Sequence, residues 1–283
     1  MKKAFAVPAA LLLAASSLFA EGGETLEGFI IHHLSNLREW IPFPGFKIPL
    51  GPAISVKGID MSPSLHLLML LIASVVMIVV FGFLYRKKSG EAPHGITNLL
   101  EFVVVFIRDD ISIAYLGKKD GRKFAPLFLT FFFFILILNL MGLVPLFPAA
   151  TGNVNITAAL SAITLILMIA GGFIKNGPLG FIKLFLPPGV PKGFYLLVFP
   201  IELLGLFTRP FALTMRLFAN MMGGHVSIFS LIGIIMIFGW FGVPSIFLVL
   251  FIYAIELLVA FIQAYIFTML SALFIGSMMH PSH

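Results

Sequence analysis

Residues 194–239 form an almost unbroken apolar run, and this run constrains the fold more than any other stretch. Its strongly polar side chains are Glu202, Arg209, Arg216, Asn220 and His225. Arg216 lies near the middle, and no acidic residue occurs within ten positions on either side. An arginine inside a membrane helix costs about 2.5–3.5 kcal/mol, so it indicates a partner or a water-filled path. The alternative is that the side chain snorkels to the membrane surface.

The composition is that of a helical membrane protein. Hydrophobic residues make up 60% of the chain and charged residues 11%, with a mean hydropathy of +1.09. These values exclude a soluble globular protein. The sequence has no cysteine, which excludes disulfides and cysteine nucleophiles. The net charge of +6 does not indicate nucleic-acid binding, because the basic residues cluster in loops, where they set membrane orientation.

The N-terminal part precedes the first long apolar segment. Residues 1–20 begin with two lysines, continue as an apolar stretch and reach small residues, which predicts a signal peptide. An uncleaved anchor helix is the alternative. Residues 21–64 contain five prolines, which interrupt any long helix. We therefore expect an external loop there.

Five segments are predicted to cross the membrane, and five to six membrane helices are expected in all. The predicted spans are 65–85, 125–147, 156–174, 194–239 and 245–277. The loop 86–123 holds eight of the eighteen Lys and Arg residues, so the positive-inside rule places it in the cytoplasm. The alternation of the loops then predicts an external N-terminus and a cytoplasmic C-terminus.

Residues 96–116 within this loop have helical periodicity but are too broken by polar residues to cross the membrane. A polar stripe at three- to four-residue spacing consists of Asn98, Glu101, Arg108 and Ser112. This pattern predicts an amphipathic helix that lies along the membrane surface or against a partner.

The last two spans are too long to stand upright in a membrane. At 1.5 Å per residue, 194–239 would form a helix of about 69 Å and 245–277 one of about 50 Å. The hydrocarbon core is only about 30 Å thick. The sequence therefore predicts a steeply inclined antiparallel hairpin that turns at 240–244.

Folding this hairpin about its turn predicts a polar group between the two helices. Asn220 comes level with Gln263, and His225 comes within one helical turn of Glu256. Such groups suit a proton path because they titrate or orient water, although an interhelical hydrogen-bond clamp is the alternative. Arg216 lies about half a turn round from His225. We expect the arginine to face a partner and the histidine to face a polar crevice.

Several motifs resemble subunit a of the F-type ATP synthase membrane sector. TRPFALTMRLFANMMGGH at 208–225 resembles the signature of that family, and FIQAYIFTMLSALFIGSM at 261–278 resembles its terminal helix. NLMGLVP, GNVNIT and PIELLGLFTRP occur in the expected order. The resemblance implies a stator in the bacterial inner membrane that contacts a ring of c subunits, the peripheral-stalk b subunits and the rest of the synthase.

The resemblance also implies two offset aqueous half-channels and the residues that serve them. The ion-translocating residues are expected to be Arg216, Asn220, His225, Glu256, Gln263 and Glu202. Arg216 corresponds to the essential arginine, and Glu202 to an acidic position of the cytoplasmic half-channel. His225 and Glu256 are exchanged relative to some members of the family, which preserves the pair.

The chain is expected to conduct ions without catalysing covalent chemistry. It contains no G-x-x-x-x-G-K-[ST] loop, so nucleotide chemistry belongs to other subunits. No cofactor, metal or nucleic-acid partner is predicted. A free-standing ion-coupled transporter is the alternative function. An intramembrane hydrolase is disfavoured because the sequence lacks H-E-x-x-H and G-x-S-x-G.

Overall fold

The computed structural model describes residues 39–43, 46–50, 55–56, 59–60, 62–84, 95–144, 147–186, 191–238 and 244–280. The predicted signal peptide at 1–20 lies outside these residues, as does the predicted turn apart from Pro244.

Helices dominate the described part of the chain. They are α1 (Leu65–Val79), α2 (Ile96–Phe106), α3 (Ala114–Gly142), α4 (Val154–Lys183), α5 (Tyr195–Phe238) and α6 (Ser245–Met279). π-Helical stretches continue α1 through Val80–Leu84 and join α2 to α3 through Ile107–Ile113. Within the ranges that the structure describes, five helical segments are long and apolar enough to cross a membrane. This confirms the prediction of an all-α polytopic membrane protein.

Four short strands precede α1, where the sequence predicts only an external loop. They are β1 (Glu39–Phe43), β2 (Phe46–Pro49), β3 (Ser55–Val56) and β4 (Ile59–Asp60). They pair as two antiparallel hairpins, β1 with β2 and β3 with β4. Ser64 caps the N-terminus of α1, since its hydroxyl accepts a hydrogen bond from the Leu67 amide.

The chain divides into two compact units. The described residues within 1–75, 136–153 and 218–262 belong to the first unit, and those within 76–135, 154–217 and 263–283 belong to the second. In the first unit, Phe229, Ile232 and Val249 form a buried apolar cluster. In the second, Phe131 packs edge-on against Phe267 at a centroid distance of 5.6 Å.

Two glycines with positive φ interrupt the helices of the second unit. Gly117 has φ 75° and Gly177 has φ 66°, a region that other residues rarely adopt. After Gly117 the chain folds back, so that the Ser112 hydroxyl donates to the Gly121 carbonyl over 2.6 Å. Ser112, one residue of the polar stripe in the sequence, is fully buried. Its hydroxyl faces a backbone carbonyl and not water.

α4 extends beyond the predicted span 156–174, because a second helical stretch follows the break at Gly177. Pro178 follows the glycine and starts another helical turn. Phe181 stacks on Phe173 at 4.2 Å between ring centroids. Residues eight apart in a straight helix would be about 12 Å apart along its axis, so the chain must turn sharply at this glycine.

Candidate functional site

Arg216 lies on an exposed face of α5. Its neighbours at helical spacing on this face are small and also exposed, namely Ala212, Ala219 and Gly223. Among the described residues, no acidic side chain forms an ion pair with Arg216. The chain thus presents an unpaired guanidinium on a surface that another helix can approach closely.

The opposite face of α5 is anchored close to this arginine. Thr214 is 6% exposed, and its hydroxyl shares a hydrogen bond with the Ser161 hydroxyl of α4. Thr214 also donates to the Pro210 carbonyl over 3.1 Å. These bonds fix the part of α5 that carries Arg216.

Arg209 precedes Arg216 by seven residues, close to two helical turns, but has a different environment. Its guanidinium carbon lies 5.8 Å from the ring centroid of Phe274 on α6, which is within the range of a cation–π contact. Glu202, seven residues before Arg209, is half-buried. Arg209 is therefore engaged within the chain, whereas Arg216 is exposed.

His225 is buried in the first unit between two backbone carbonyls. Nε2 lies 2.9 Å from the Gly142 oxygen, and Nδ1 lies 3.0 Å from the Met221 oxygen. Carbonyl oxygens only accept hydrogen bonds. A neutral imidazole can donate to one of them, and only the doubly protonated ring can donate to both. The site therefore accommodates either one or two ring protons.

The C-terminal end of α3 supplies acceptors to this site. The Gly142 carbonyl meets His225, and the Leu143 carbonyl accepts a hydrogen bond from the Tyr253 hydroxyl of α6. The last carbonyls of a helix lack partners within the helix and carry partial negative charge. Two side chains of the hairpin helices thus satisfy the end of α3.

Glu256 packs against the backbone immediately before His225. A methyl group at Gly224 would overlap the Glu256 carboxyl group. Both carboxyl oxygens are buried and have no hydrogen-bond partner among the described residues. The hydrogen bonds of His225 go to carbonyl groups and not to this carboxyl group. An unpaired carboxylate in such surroundings is costly, which is typical of a functional group.

The two predicted amide residues lie on different units. Asn220 is half-buried on α5, and Gln263 is 4% exposed on α6. The contact between them that the sequence indicates stays a prediction.

Sequence reasoning missed several contacts in the first unit, and one of them involves a neighbour of Glu256. Thr151 donates to Asn139 over 2.9 Å, and both side chains are fully buried. Tyr253 precedes Glu256 by three residues, and this spacing on one helix face could have identified it. The carbonyls of Gly142 and Leu143 carry no sequence signal, because every residue has a carbonyl group.

Metal ligation is not supported by the described residues, since no group of three or more His, Asp or Glu side chains among them could hold an ion.

Comparisons with known proteins agree with the motifs. The sequence pattern of the ATP synthase A chain family matches residues 67–276. ATP synthase subunit a of Chloroherpeton thalassium is 44% identical over 260 residues, which cover 89% of this chain and 77% of that protein. ATP synthase subunit a of Chlorobium phaeobacteroides is 42% identical over 269 residues, covering 91% and 78%. ATP synthase subunit a 2 of Prosthecochloris aestuarii is 41% identical over 287 residues, covering 98% and 87%.

Proposed function

We propose a residue-level mechanism on the premise that this chain belongs to the ATP synthase A chain family. The match to the family pattern and the similarity to subunit a proteins confirm the predicted family. The chain is the ion-translocating stator subunit of an F-type ATP synthase, and it is a multi-pass membrane protein that works as part of that complex. In our proposal the ion is a proton, and the path runs through the six predicted residues.

The observation that carries the proposal is that Arg216 is exposed among small residues and has no ion-pair partner in the described part of the chain. We propose that this face meets a ring of c subunits and that Arg216 approaches each ring carboxylate in turn. A nearby cation favours the ionised carboxylate and so releases its proton. At 4 Å and an effective dielectric constant of about 20, the attraction is about 4 kcal/mol. Each charge that crosses 100 mV supplies about 2.3 kcal/mol, so several crossings are needed for each nucleotide made.

The other five residues form two half-channels in this mechanism. On the external side, water reaches Glu256 and His225, and the two ring nitrogens of His225 provide a site for the proton. Asn220 and Gln263 then orient water toward the ring. Glu202 serves the cytoplasmic side. Arg216 separates the two sides, so protons cross only when the ring turns.

The lengths of α5 and α6 support an inclined hairpin against the ring. They contain 44 and 35 residues, which corresponds to about 66 and 52 Å. The hydrocarbon core is about 30 Å thick, so neither helix fits upright. Peripheral-stalk b subunits are the second proposed partner within the complex.

The proposed location is the bacterial inner membrane, with the N-terminus outside and the C-terminus in the cytoplasm. Single cysteines at Lys118 and Val154 test this orientation, because both positions are exposed. A membrane-impermeant maleimide applied from outside should label position 154, and position 118 should react only in inverted vesicles. Labelling of both positions from the same side would contradict the topology.

The choice between a synthase stator and a free-standing transporter can be tested directly. The complete complex in inverted vesicles should acidify the lumen when ATP is added. The purified chain alone in liposomes should neither catalyse solute exchange nor respond to ATP. Copurification with a small ring-forming subunit supports the stator, whereas ion-coupled solute uptake by the chain alone would refute it.

A further inference from the structure

Outside the proposed ion path, three side chains that can carry charge join three helices of the second unit. Asp120 lies shortly after the Gly117 break and is 6% exposed. Its carboxylate forms a salt bridge with Lys175 of α4. Its Oδ2 atom also lies 3.1 Å from Nε2 of His280, which directly follows α6. We name Asp120, Lys175 and His280 the ionic clasp.

Further contacts hold the end of α6 beside the ionic clasp. The Asn176 side chain donates to the Met278 carbonyl over 3.0 Å. A methyl group at Gly276 would overlap the Tyr115 carbonyl oxygen, so the two backbones are in close contact there. The final turn of α6 is therefore held both by polar bonds and by a glycine-dependent helix contact.

Burial along α6 is uneven, and it is concentrated toward the ionic clasp. The buried residues from 263 onward are Gln263, Ala264, Phe267, Thr268, Ser271, Ala272, Ile275, Gly276, Met278 and Met279. Between 245 and 262, Val249 and Ala260 are the buried residues. Packing within this chain thus holds mainly the C-terminal half of α6, and Gln263 lies at the start of that half.

We propose that the ionic clasp sets the axial and rotational register of α6, and that Asp120 is thereby a positioning residue for Gln263. The inference rests on the proposed role of Gln263 in ion translocation. Gln263 precedes His280 by seventeen residues, about 26 Å along a rigid helix. A change of helix register by one residue turns the side chains by about 100° around the helix axis. Asp120 is buried, whereas the side chains of Lys175 and His280 are 33% and 45% exposed. Without Asp120 the two side chains lose the carboxylate that joins them, so the end of α6 is released from α4. Without Lys175 the buried carboxylate lacks its cation, so the site must move or admit water.

The test uses the complete synthase in inverted vesicles. Asp120→Leu removes the centre of the ionic clasp, and Asp120→Asn keeps an acceptor of the same shape. Asp110→Leu is the matched control, because Asp110 is an exposed acid nearby in the chain. Asp120→Leu should lower ATP-driven acidification per assembled complex by about three- to tenfold, less than the ~100-fold that a 1 Å displacement can cost in catalysis. Asp120→Asn should restore most of the rate, and the control should not change it.

A second measurement reports the register independently of ion transport. Spin labels at Ile166 and Phe261, which are 63% and 46% exposed, give a distance distribution between α4 and α6. The distribution should shift or broaden in Asp120→Leu but not in Asp110→Leu. If Asp120→Leu does not assemble, Lys175→Met and His280→Leu remove the partners one at a time and should give the same changes.

An unchanged distance distribution in these variants overturns the proposal. A changed distribution with full acidification also overturns the positioning role. Gln263→Leu separates that outcome from a failure of the proposed path: if this variant also pumps normally, the path through Gln263 is wrong as well.

Discussion

The ionic clasp and the group around Glu256 are both polar clusters on apolar helices, but they differ in how fully their hydrogen bonds are satisfied. The Asp120 carboxylate has partners on two other parts of the chain. The Glu256 carboxyl oxygens have no partner among the described residues, and His225 faces two acceptors. Satisfied groups hold helices together, whereas unsatisfied groups remain available to water or an ion. The two clusters therefore differ in the carboxyl group at their centre: that of Asp120 is paired, and we propose that the unpaired carboxyl group of Glu256 serves the ion path.

Arg216 is a third polar group to compare, and we expect the largest effect from changing it. Its guanidinium is exposed and unpaired among the described residues. Arg216→Ala should abolish ATP-driven acidification, a loss beyond the ~100-fold typical of removing one electrostatic stabiliser. The complex should still assemble. Arg216→Lys should also fail largely, because lysine lacks the planar fork that engages a carboxylate.

Arg209→Ala is the matched control, because Arg209 is held over Phe274. It should retain most of the acidification rate. A fully assembled Arg216→Ala complex that pumps at near the wild-type rate would show that Arg216 is structural.

Gly224→Ala sharpens the comparison by closing the space that Glu256 occupies. Alanine in place of glycine normally stabilises a helix by about 0.5–1 kcal/mol. Here the methyl group displaces the carboxyl group, and we expect acidification to fall by about tenfold, less than the ~100-fold cost of a 1 Å displacement in catalysis. Glu256→Asp shortens the side chain and should partly rescue Gly224→Ala. If the double variant shows the product of the two single effects, the two residues are not coupled.

Glu256→Gln tests whether an unsatisfied carboxyl group is essential or only accelerates proton access. Acidification should fall by less than about tenfold, below the ~100-fold loss expected for a required proton-transfer group, because water can replace one relay member. The ratio of protons pumped to ATP hydrolysed should stay constant. Asp110→Asn, which neutralises an exposed carboxylate, is the control and should have no effect. Complete loss in Glu256→Gln would make the residue indispensable.

Thr164→Val tests a polar group that is hydrogen-bonded within the chain, and it should have the smallest effect. The Thr164 hydroxyl lies 3.0 Å from the Ser271 hydroxyl, and both side chains are buried. Its loss should lower the free energy of unfolding by about 0.6 kcal/mol, the average for polar contacts between membrane helices. Acidification should not change. Thr130→Val is the control, since Thr130 is exposed and bonds to a carbonyl of its own helix. Equal destabilisation by both variants would argue against an interhelical bond.

The fold class and the number of spans could be predicted because apolar length and loop charge are local properties of the sequence. The positive φ of Gly117 and Gly177 could not, since it depends on what packs after each turn, such as Ser112 against Gly121. No pattern in the sequence indicated the ionic clasp either. Asp120 and His280 are separated by 160 positions, and only the folded chain brings them together.

The candidate site was only partly accessible from the sequence. Counting residues about the turn placed Glu256 within one turn of His225, and the structure puts its carboxyl group against Gly224. The count could not indicate that His225 would bond to two carbonyl groups, because backbone acceptors exist everywhere along the chain. The proposed role of Arg216 came from the motif and from its isolation among apolar residues.

The glycine breaks in α3 and α4 also determine how the protein matches the thickness of its bilayer. The uninterrupted helices 118–142 and 154–176 that adjoin these breaks are about 37 and 34 Å long. These lengths are close to the hydrocarbon thickness, and each ångström of hydrophobic mismatch costs a fraction of a kcal/mol. By losing tilt, helices of this length can follow a thicker bilayer only up to about 34–37 Å, whereas α5 and α6 are much longer. Lipids with longer acyl chains should therefore strain α3 and α4 first, and acyl-chain length should become a determinant of the pumping rate.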